Sequence, residues 1–160
     1  MKKFKYNLAA LAVIVVALTN CVAGNSRTLA QDFNIPDPIG YVNDYEEIID
    51  NDTELEERLR EFEEETSIEL VVATYPNLQG STVEDFAGSI FDTWAIGKDT
   101  SDNGLLVFVS ANERVSRIEV GYGLESALTD AKTGKIQDNY MIPHFKEGDY
   151  SAGINNAVEA

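Results

Sequence analysis

Acidic and amide side chains gather around one apolar run and the alternating run that follows it. Leu105 to Val109 is continuously apolar, as a buried strand is, and Val115 to Val120 alternates as a half-buried strand does. Two such runs joined by about five polar residues favour an antiparallel hairpin. A hairpin brings the start of its first strand beside the end of its second. Four oxygen-bearing residues are therefore expected near one edge of a sheet: Asp102, Asn103, Glu125 and, a few residues on, Asp130.

Oxygen donors at this density suit a hard divalent cation, and calcium is the best match. Gly121 and Gly123 lie between the donors in sequence and would let backbones approach closely. We therefore predict that the four oxygen-bearing residues bind a divalent cation. A second interpretation gives them structural roles: Thr129 or Asp130 would cap a helix, and Asn103 would open a tight turn. The sequence leaves both interpretations open.

An EF-hand is a less suitable explanation for the same stretch. The residues from Asp99 to Gly104 match the first six positions of an EF-hand calcium loop, in which oxygen ligands alternate before a glycine. The twelfth position of that loop requires a bidentate glutamate, and this chain has Ser110 there. No helical pattern follows. The match is therefore partial, and it does not predict an EF-hand.

Enzyme signatures based on histidine or cysteine are scarce. His144 and Cys21 are each the sole residue of their type, which excludes a histidine-based triad, a multi-histidine metal site and an internal disulfide. Hydrolysis of a phosphate ester would therefore have to use a metal and carboxylates, and Asp102 and Asp130 are the candidate catalytic residues. Arg114 or Arg117 could neutralise phosphate charge, although the strand alternation favours exposure of Arg117 to solvent.

The charge balance restricts the partners. The chain has 28 acidic residues against 12 lysines and arginines, for a formal net charge of −16. Such a charge argues against binding to nucleic acid and to an anionic membrane surface, and it favours cations or a basic protein partner. The simpler interpretation of the same balance is a solvated acidic surface.

The N-terminus has the pattern of an export signal. A lysine-rich start precedes an apolar run from Leu8 to Leu18, which is shorter than the roughly 20 residues that span a bilayer. The lipobox-like run before Cys21 predicts a lipidated cysteine, although Asn20 replaces the usual small residue. Ordinary cleavage, for example after Ala23, and an uncleaved anchor are the alternatives. We predict a signal peptide at residues 1–23 and a location outside the cytoplasm, either secreted or in the cell envelope.

The remaining chain is predicted to form a tether and one domain. Residues 24–39 are polar and contain two prolines, which is typical of a linker, and residues 40–160 carry the helix and strand patterns. A strand pattern from Ile68 to Tyr75, a helix pattern after Ser81 and the strand at Leu105 together predict a right-handed parallel crossover.

Three helix patterns flank this crossover. Thr53 and Glu56 form a capping-box pattern for a first helix, and a helix from Thr129 should end before Pro143. A last helix pattern begins at Tyr150 and is still open at the end of the chain, so we expect the natural protein to continue. The second helix should place Trp94 near the site edge, as a core residue rather than as a platform for a ligand.

Several motifs resemble the TPM domain family, which is named for thylakoid-lumen, photosystem-associated and receptor-associated members. The resemblance covers about residues 40–160, and the motifs occur in the order found in the family. They are Val42-Asn43-Asp44, Trp94-Ala-Ile-Gly97, Asn103-Gly104-Leu-Leu, Ile118-Glu-Val-Gly-Tyr-Gly-Leu-Glu125, Asp130 and the run from Ile142 to Tyr150.

The resemblance implies an α/β fold, a three-layer α/β/α sandwich whose mixed sheet combines the parallel crossover with the antiparallel hairpin. It also implies an extracytoplasmic location and, as in some members, calcium binding and weak acid phosphatase activity. Asp44 joins the predicted metal ligands through its family motif alone.

Two functions follow as expectations. The first is an extracytoplasmic domain that binds a divalent cation, with calcium favoured, and acts modestly on a phosphomonoester. The alternative is a non-catalytic envelope module that assists or binds a membrane-protein complex. Contact with the membrane itself is expected only through a lipid anchor or a missing C-terminal segment.

Overall fold

The structure, a computed structural model, describes residues 33–97 and 101–160. The predictions for the signal peptide, for Cys21 and for the tether up to residue 32 concern residues outside these ranges.

A mixed four-stranded sheet forms the centre of the domain. The strands are β1 (Val42–Asp44), β2 (Glu69–Thr74), β3 (Gly104–Ser110) and β4 (Val115–Val120), and they lie in chain order across the sheet. Strands β1, β2 and β3 are parallel, while β4 is antiparallel to β3. The predicted parallel crossover and hairpin are therefore confirmed.

Helices cover both faces of this sheet. Their bounds are α1 (Asp52–Thr66), α2 (Val83–Thr93), α3 (Asp130–Ile136), α4 (Ile142–Glu147) and α5 (Tyr150–Glu159), and a π-helical turn (Gln137–Met141) joins α3 to α4.

The core is divided by the sheet because strand side chains alternate between its faces. One face packs Val72 and Val107 against Leu55 of α1 and Ile154 of α5. The other face packs Val71, Phe108 and Ala73 against Phe86 of α2. The α/β/α sandwich is thus confirmed. Because α1 and α2 cover opposite faces while the strand order advances in one direction, the two parallel crossovers have opposite hands, and one departs from the usual right-handed rule.

The capping-box prediction at the start of α1 is wrong. The helix is preceded by Asn51, whose side chain makes no capping hydrogen bond, and Thr53 bonds to Asp52 instead. The Glu56 carboxylate, which a capping box would use locally, accepts hydrogen bonds from the backbone amides of Tyr41 and Val42. A tertiary contact to β1 therefore takes the place of the local cap.

The prediction that Pro143 ends a helix is also wrong. Pro143 lies in the first turn of α4, where a missing N–H is tolerated, and the chain passes into it through the π-helical turn. The extra residue of a π-turn changes which side chains face inward. Tyr140 is 44% exposed, whereas its neighbour Met141 is fully buried.

Part of the predicted tether contacts the domain. Phe33 packs edge-on against Phe86 with ring centroids 5.1 Å apart, and the Trp94 indole donates to the carbonyl of Pro36 at 2.8 Å. The aromatic residue among the polar ones explains why this segment packs, since burial of a ring is favourable. Among the described residues, no helix has both the length and the apolar character needed to cross a membrane.

Candidate functional site

Backbone contacts build the edge at which the ligands were predicted. The amide of Asn103 donates to the carbonyl of Gly97 at 3.1 Å, and the amide of Gly123 donates to the carbonyl of Asp102 at 2.9 Å. A Cβ atom at Gly97 would lie 2.0 Å from the Gly104 nitrogen, and one at Gly123 would lie 2.0 Å from the carbonyl oxygen of Ser101. Only glycine fits these approaches, so the loop before β3 rests directly on the end of the hairpin.

We call the loop from Ser101 to Asn103, where it packs against Gly97, Gly121 and Gly123, the glycine platform. Asp102 and Asn103 differ in how their side chains are placed on it. Asp102 has a φ of 46°, a left-handed conformation that a non-glycine residue adopts when its surroundings require it, and its side chain is exposed. The Asn103 side chain donates to the carbonyl of Ser67 and is half-buried. The loop therefore presents one free-standing carboxylate and one amide that is already engaged.

Glu125 and Asp130 line a shallow cleft of about 340 Å³ at the end of β4. Both are exposed, and neither carboxylate accepts a hydrogen bond from a described residue. Thr129 occupies the N-cap position of α3, as the capping interpretation predicts, but its side chain makes no capping hydrogen bond. The two carboxylates are thus left available to solvent or to a ligand.

Arg117 lies in the same cleft and is only partly exposed, contrary to the expectation that it faces solvent freely. Its Nε donates to the Glu119 carboxylate at 2.9 Å. This hydrogen bond is the main reason that the pKa of Arg117 is raised, and the nearby carboxylates of Glu84 and Asp130 add to it. The cleft therefore combines a permanently charged guanidinium with acidic side chains.

Asp44 is separated from the other predicted ligands. It pairs with Thr74 at the carboxyl ends of β1 and β2, and Thr74 pairs with Val109 near the end of β3. The five-residue step back to Gly104 corresponds to roughly 16 Å at the rise of a strand. The Asp44 carboxylate accepts hydrogen bonds from the Thr74 hydroxyl and from the Ile49 amide. Asp44 could therefore not share one ion with Asp102.

The structure thus brings the predicted ligands together in part. Asp102 and Asn103 lie on the glycine platform, Glu125 and Asp130 line the neighbouring cleft, and Asp44 lies at the opposite end of the strands. Within residues 33–97 and 101–160, no three or more His, Cys, Asp or Glu side chains lie close enough together to hold a metal ion. The metal and catalytic roles of these residues stay predictions.

Sequence reasoning missed a second and larger cleft of about 930 Å³ at the other end of β4. Its wall includes Val115 and Ser116 of β4, Gln137 of the π-helical turn, and Phe145 and Tyr150 beyond it. The π-helical turn is the only part with a known tendency to occur at functional sites, and a single sequence carries little signal for it. Phe145 and Tyr150 do fall within the last resemblance motif.

Comparisons with known proteins agree with this architecture. The family model of the TPM domain matches residues 42–160. The N-terminal domain of a Porphyromonas gingivalis protein, solved by solution NMR, is 32% identical with a TM-score of 0.69, over 74% of this chain and 77% of that one.

Two more distant structures share the fold. The N-terminal domain of the cg2496 protein from Corynebacterium glutamicum is 16% identical with a TM-score of 0.59, covering 80% of this chain and 82% of that one. The BA42 protein from the psychrophile Bizionia argentinensis is 21% identical with a TM-score of 0.62, covering 72% and 79%. No curated protein matches the chain. Because the family model spans most of the chain, this protein belongs to the TPM domain family.

Proposed function

We propose that this chain is an extracytoplasmic TPM domain that binds a divalent cation, with calcium favoured. The site lies at the end of the sheet where β3 begins and β4 ends. The observation that carries the proposal is that Glu125 and Asp130 line one cleft and that neither carboxylate accepts a hydrogen bond from a described residue. Asp102 on the adjacent platform is a further exposed carboxylate. The export pattern of residues 1–23 supports the location.

The donors fit a weak, partly hydrated ion. All of them are oxygen atoms, which is the ligand type that calcium prefers. Because fewer than three acidic side chains converge in the described residues, water would complete the coordination sphere. We therefore expect a dissociation constant of about 10⁻⁴–10⁻³ M, as in extracellular calcium modules.

Titration followed by NMR tests this site directly. Calcium should shift the backbone resonances of residues 101–103 and 123–130 with one common dissociation constant. Asp130→Asn and Glu125→Gln should each weaken binding at least several-fold, since each removes a charged ligand and keeps the shape. Glu54→Gln is the matched control, because Glu54 is an exposed acid in the first turn of α1, at the opposite end of that helix from Ser67, which Asn103 contacts. Equal weakening in all three variants would reduce the proposal to general charge attraction.

Modest hydrolysis of phosphomonoesters is a second step that this site could perform. The supporting observation is that Arg117 lies beside Asp130 in the same cleft. A bound cation would supply polarisation of the phosphoryl group. Arg117 would hold phosphate oxygens through its fork of N–H donors, and Asp130 or Asp102 would orient a water molecule and accept its proton.

Turnover of a generic phosphomonoester, with and without chelator, decides whether this activity exists. Asp130→Asn and Asp102→Asn should abolish it, while His144→Gln should leave it unchanged because His144 bonds to Asn156 away from the cleft. Activity that persists in excess chelator would contradict a metal-dependent reaction.

The alternative function is a non-catalytic module that binds a protein partner in the cell envelope. The specific observation in its favour is the larger cleft, which adjoins β4 and combines apolar with charged side chains. Calcium binding without turnover, together with partner binding at this cleft, would favour the alternative.

A further inference from the structure

Strand β4 has one hydrogen-bonding edge that pairs with no other strand in the described part of the chain. The amide of Gly121 donates to the carbonyl of Gly104, which fixes the alternation of the antiparallel ladder. Arg117 and Glu119 therefore direct their backbone groups toward β3, and their neighbours in the strand direct theirs outward. The outward residues are Ser116, Ile118 and Val120, whose outward N–H and C=O groups bond to no described residue.

This edge lies along two clefts. Val115 and Ser116 of β4 line the larger cleft, and the residues from Arg117 to Val120 line the smaller one. The larger cleft, at the Val115 end, has an apolar wall that includes Ile142, Phe145 and Val83. Native proteins usually shorten or cover an exposed sheet edge. A six-residue edge with a cleft at each end departs from this rule, which indicates that another chain pairs with it.

The charges indicate what the occupant carries. At the Val120 end the smaller cleft holds the carboxylates of Glu125 and Asp130, which accept no hydrogen bond from a described residue, while Arg117 is hydrogen-bonded to Glu119. The whole chain has a formal net charge of −16, so a cationic side chain is favoured there both locally and at long range.

We propose that β4 binds an extended segment of a partner protein, which adds a fifth strand to the sheet. The segment pairs with the outward backbone groups of Ser116, Ile118 and Val120, places an apolar side chain in the larger cleft and places a lysine or arginine beside Glu125 and Asp130. Main-chain pairing provides affinity and the two clefts provide selectivity. This inference deepens the partner-binding alternative and does not depend on a bound cation.

A second copy of the chain is the main rival occupant. Antiparallel pairing of two β4 strands about Ile118 would place Arg117 of each copy opposite Glu119 of the other, which is favourable. Two chains of net charge −16 would nevertheless repel each other, and this repulsion is absent for a basic segment.

Designed peptides test the pairing on the unmodified protein. The probe is a nine-residue peptide of alternating valine and threonine with one lysine at each end, and its counterpart has glutamate at each end. We expect the lysine peptide to bind at least tenfold more tightly by fluorescence anisotropy. Two N-methylated lysine peptides, blocked on one or the other set of alternate amides, should differ: one should lose at least tenfold in affinity and the other should retain it. Equal effects of the two methylation patterns would overturn strand pairing.

Amide exchange locates the peptide, and chelator throughout separates this test from the cation site. The lysine peptide should slow exchange at Ser116, Ile118 and Val120, whereas Arg117 and Glu119 should be protected with or without it. Asp130→Asn should reduce the preference for lysine, and the exposed-acid control Glu54→Gln should not. Absence of added protection would overturn the proposal. Protection that increases with protein concentration in the absence of peptide would also overturn it, in favour of a second copy.

Discussion

At the scale of single residues, the loop that carries Asp102 packs closely against Gly121 and Gly123 because glycines have no Cβ atom. The carbonyl of Asp102 lies so close to Gly121 that a Cβ atom there would be 2.2 Å from the oxygen. Backbone hydrogen bonds from Gly121 and Gly123 close the same contact. The backbone of Asp102 is therefore fixed by its packing against these glycines, and a change at either glycine should affect both stability and any ligand bound by the Asp102 carboxylate.

We predict that Gly123→Ala destabilises the domain by about 1–3 kcal/mol, the usual cost of overpacking. The added methyl would meet the carbonyl oxygen of Ser101 at 2.0 Å, and backbone cannot rotate away as a side chain can. Gly88→Ala is the matched control: it lies in α2 with nothing within 4 Å of the added atom, so it should stabilise by about 0.5–1 kcal/mol. Urea unfolding measures both, and similar values for the two variants would contradict the close approach.

Tyr41 provides a pH-dependent prediction at the same scale. Its hydroxyl donates to the Glu63 carboxylate, and this bond, with burial as the second cause, raises the pKa of Tyr41 to about 12. The unfolded chain has a tyrosine pKa of about 10. The folded state therefore holds the proton more tightly, so this contribution is complete below about pH 10 and is lost as the pH rises through about 12.

Tyr41→Phe should accordingly flatten the loss of stability between pH 10 and 12, as measured by urea midpoints across that range. A residual slope should remain, because burial also raises the pKa of Tyr45 and of Tyr75. Identical slopes in the two proteins would contradict the hydrogen bond to Glu63.

At the scale of elements, the sequence predicted the features that depend on residues close in the chain, and it did not predict those that depend on distant residues. The hairpin could be predicted because alternation in β4 and the polar turn before it are both local. The α1 cap could not, because Glu56 is taken by the amides of Tyr41 and Val42, fifteen and fourteen positions away. Likewise the hairpin brought Asp102 and Gly123 together, whereas the place of Asp44 follows from the register of parallel strands, which no short motif specifies.

Trp94 tests how the segment before β1 is attached. Its indole N–H donates to the carbonyl of Pro36, and its ring packs beside the cluster under α2 while staying half-exposed. Trp94→Phe should keep most of the packing and lose about 1 kcal/mol with the hydrogen bond. Trp94→Ala should cost more, but less than the roughly 3–5 kcal/mol typical of a fully buried aromatic residue. Urea unfolding, together with the rate of proteolysis near Pro36, checks both changes.

A faster rate of cleavage in Trp94→Phe, with a loss of stability of no more than about 1 kcal/mol, would show that the indole mainly attaches residues 33–38 to the domain. A large loss of stability in Trp94→Phe would instead mean that this tryptophan belongs to the core, as its apolar helix position predicted.

At the scale of the whole molecule, charge dominates. With 28 acidic residues against 12 basic ones, the folded chain repels itself more strongly than the expanded unfolded chain does. Any salt should therefore stabilise the domain by screening, since the Debye length is about 10 Å at 0.1 M ionic strength. The same negative charge supports both the proposed cation site and the proposed basic partner segment, because it attracts a divalent cation and a basic peptide alike. A measurement of calcium binding must therefore separate a local site from the general field.

We predict that calcium chloride raises the melting temperature beyond the increase given by sodium chloride at equal ionic strength. The excess should follow ligand linkage, about 1.4 kcal/mol at ten times the dissociation constant, or roughly 3–6 °C for a domain of this size. Asp130→Asn combined with Glu125→Gln should remove the excess and keep the sodium response, because screening acts on the total charge whereas the site needs these two carboxylates. A calorimetric scan of wild type and double variant in both salts gives the comparison. If the two salts stabilise the wild-type protein equally, the smaller cleft holds no specific cation. Its carboxylates then remain available to a basic partner segment that pairs with β4.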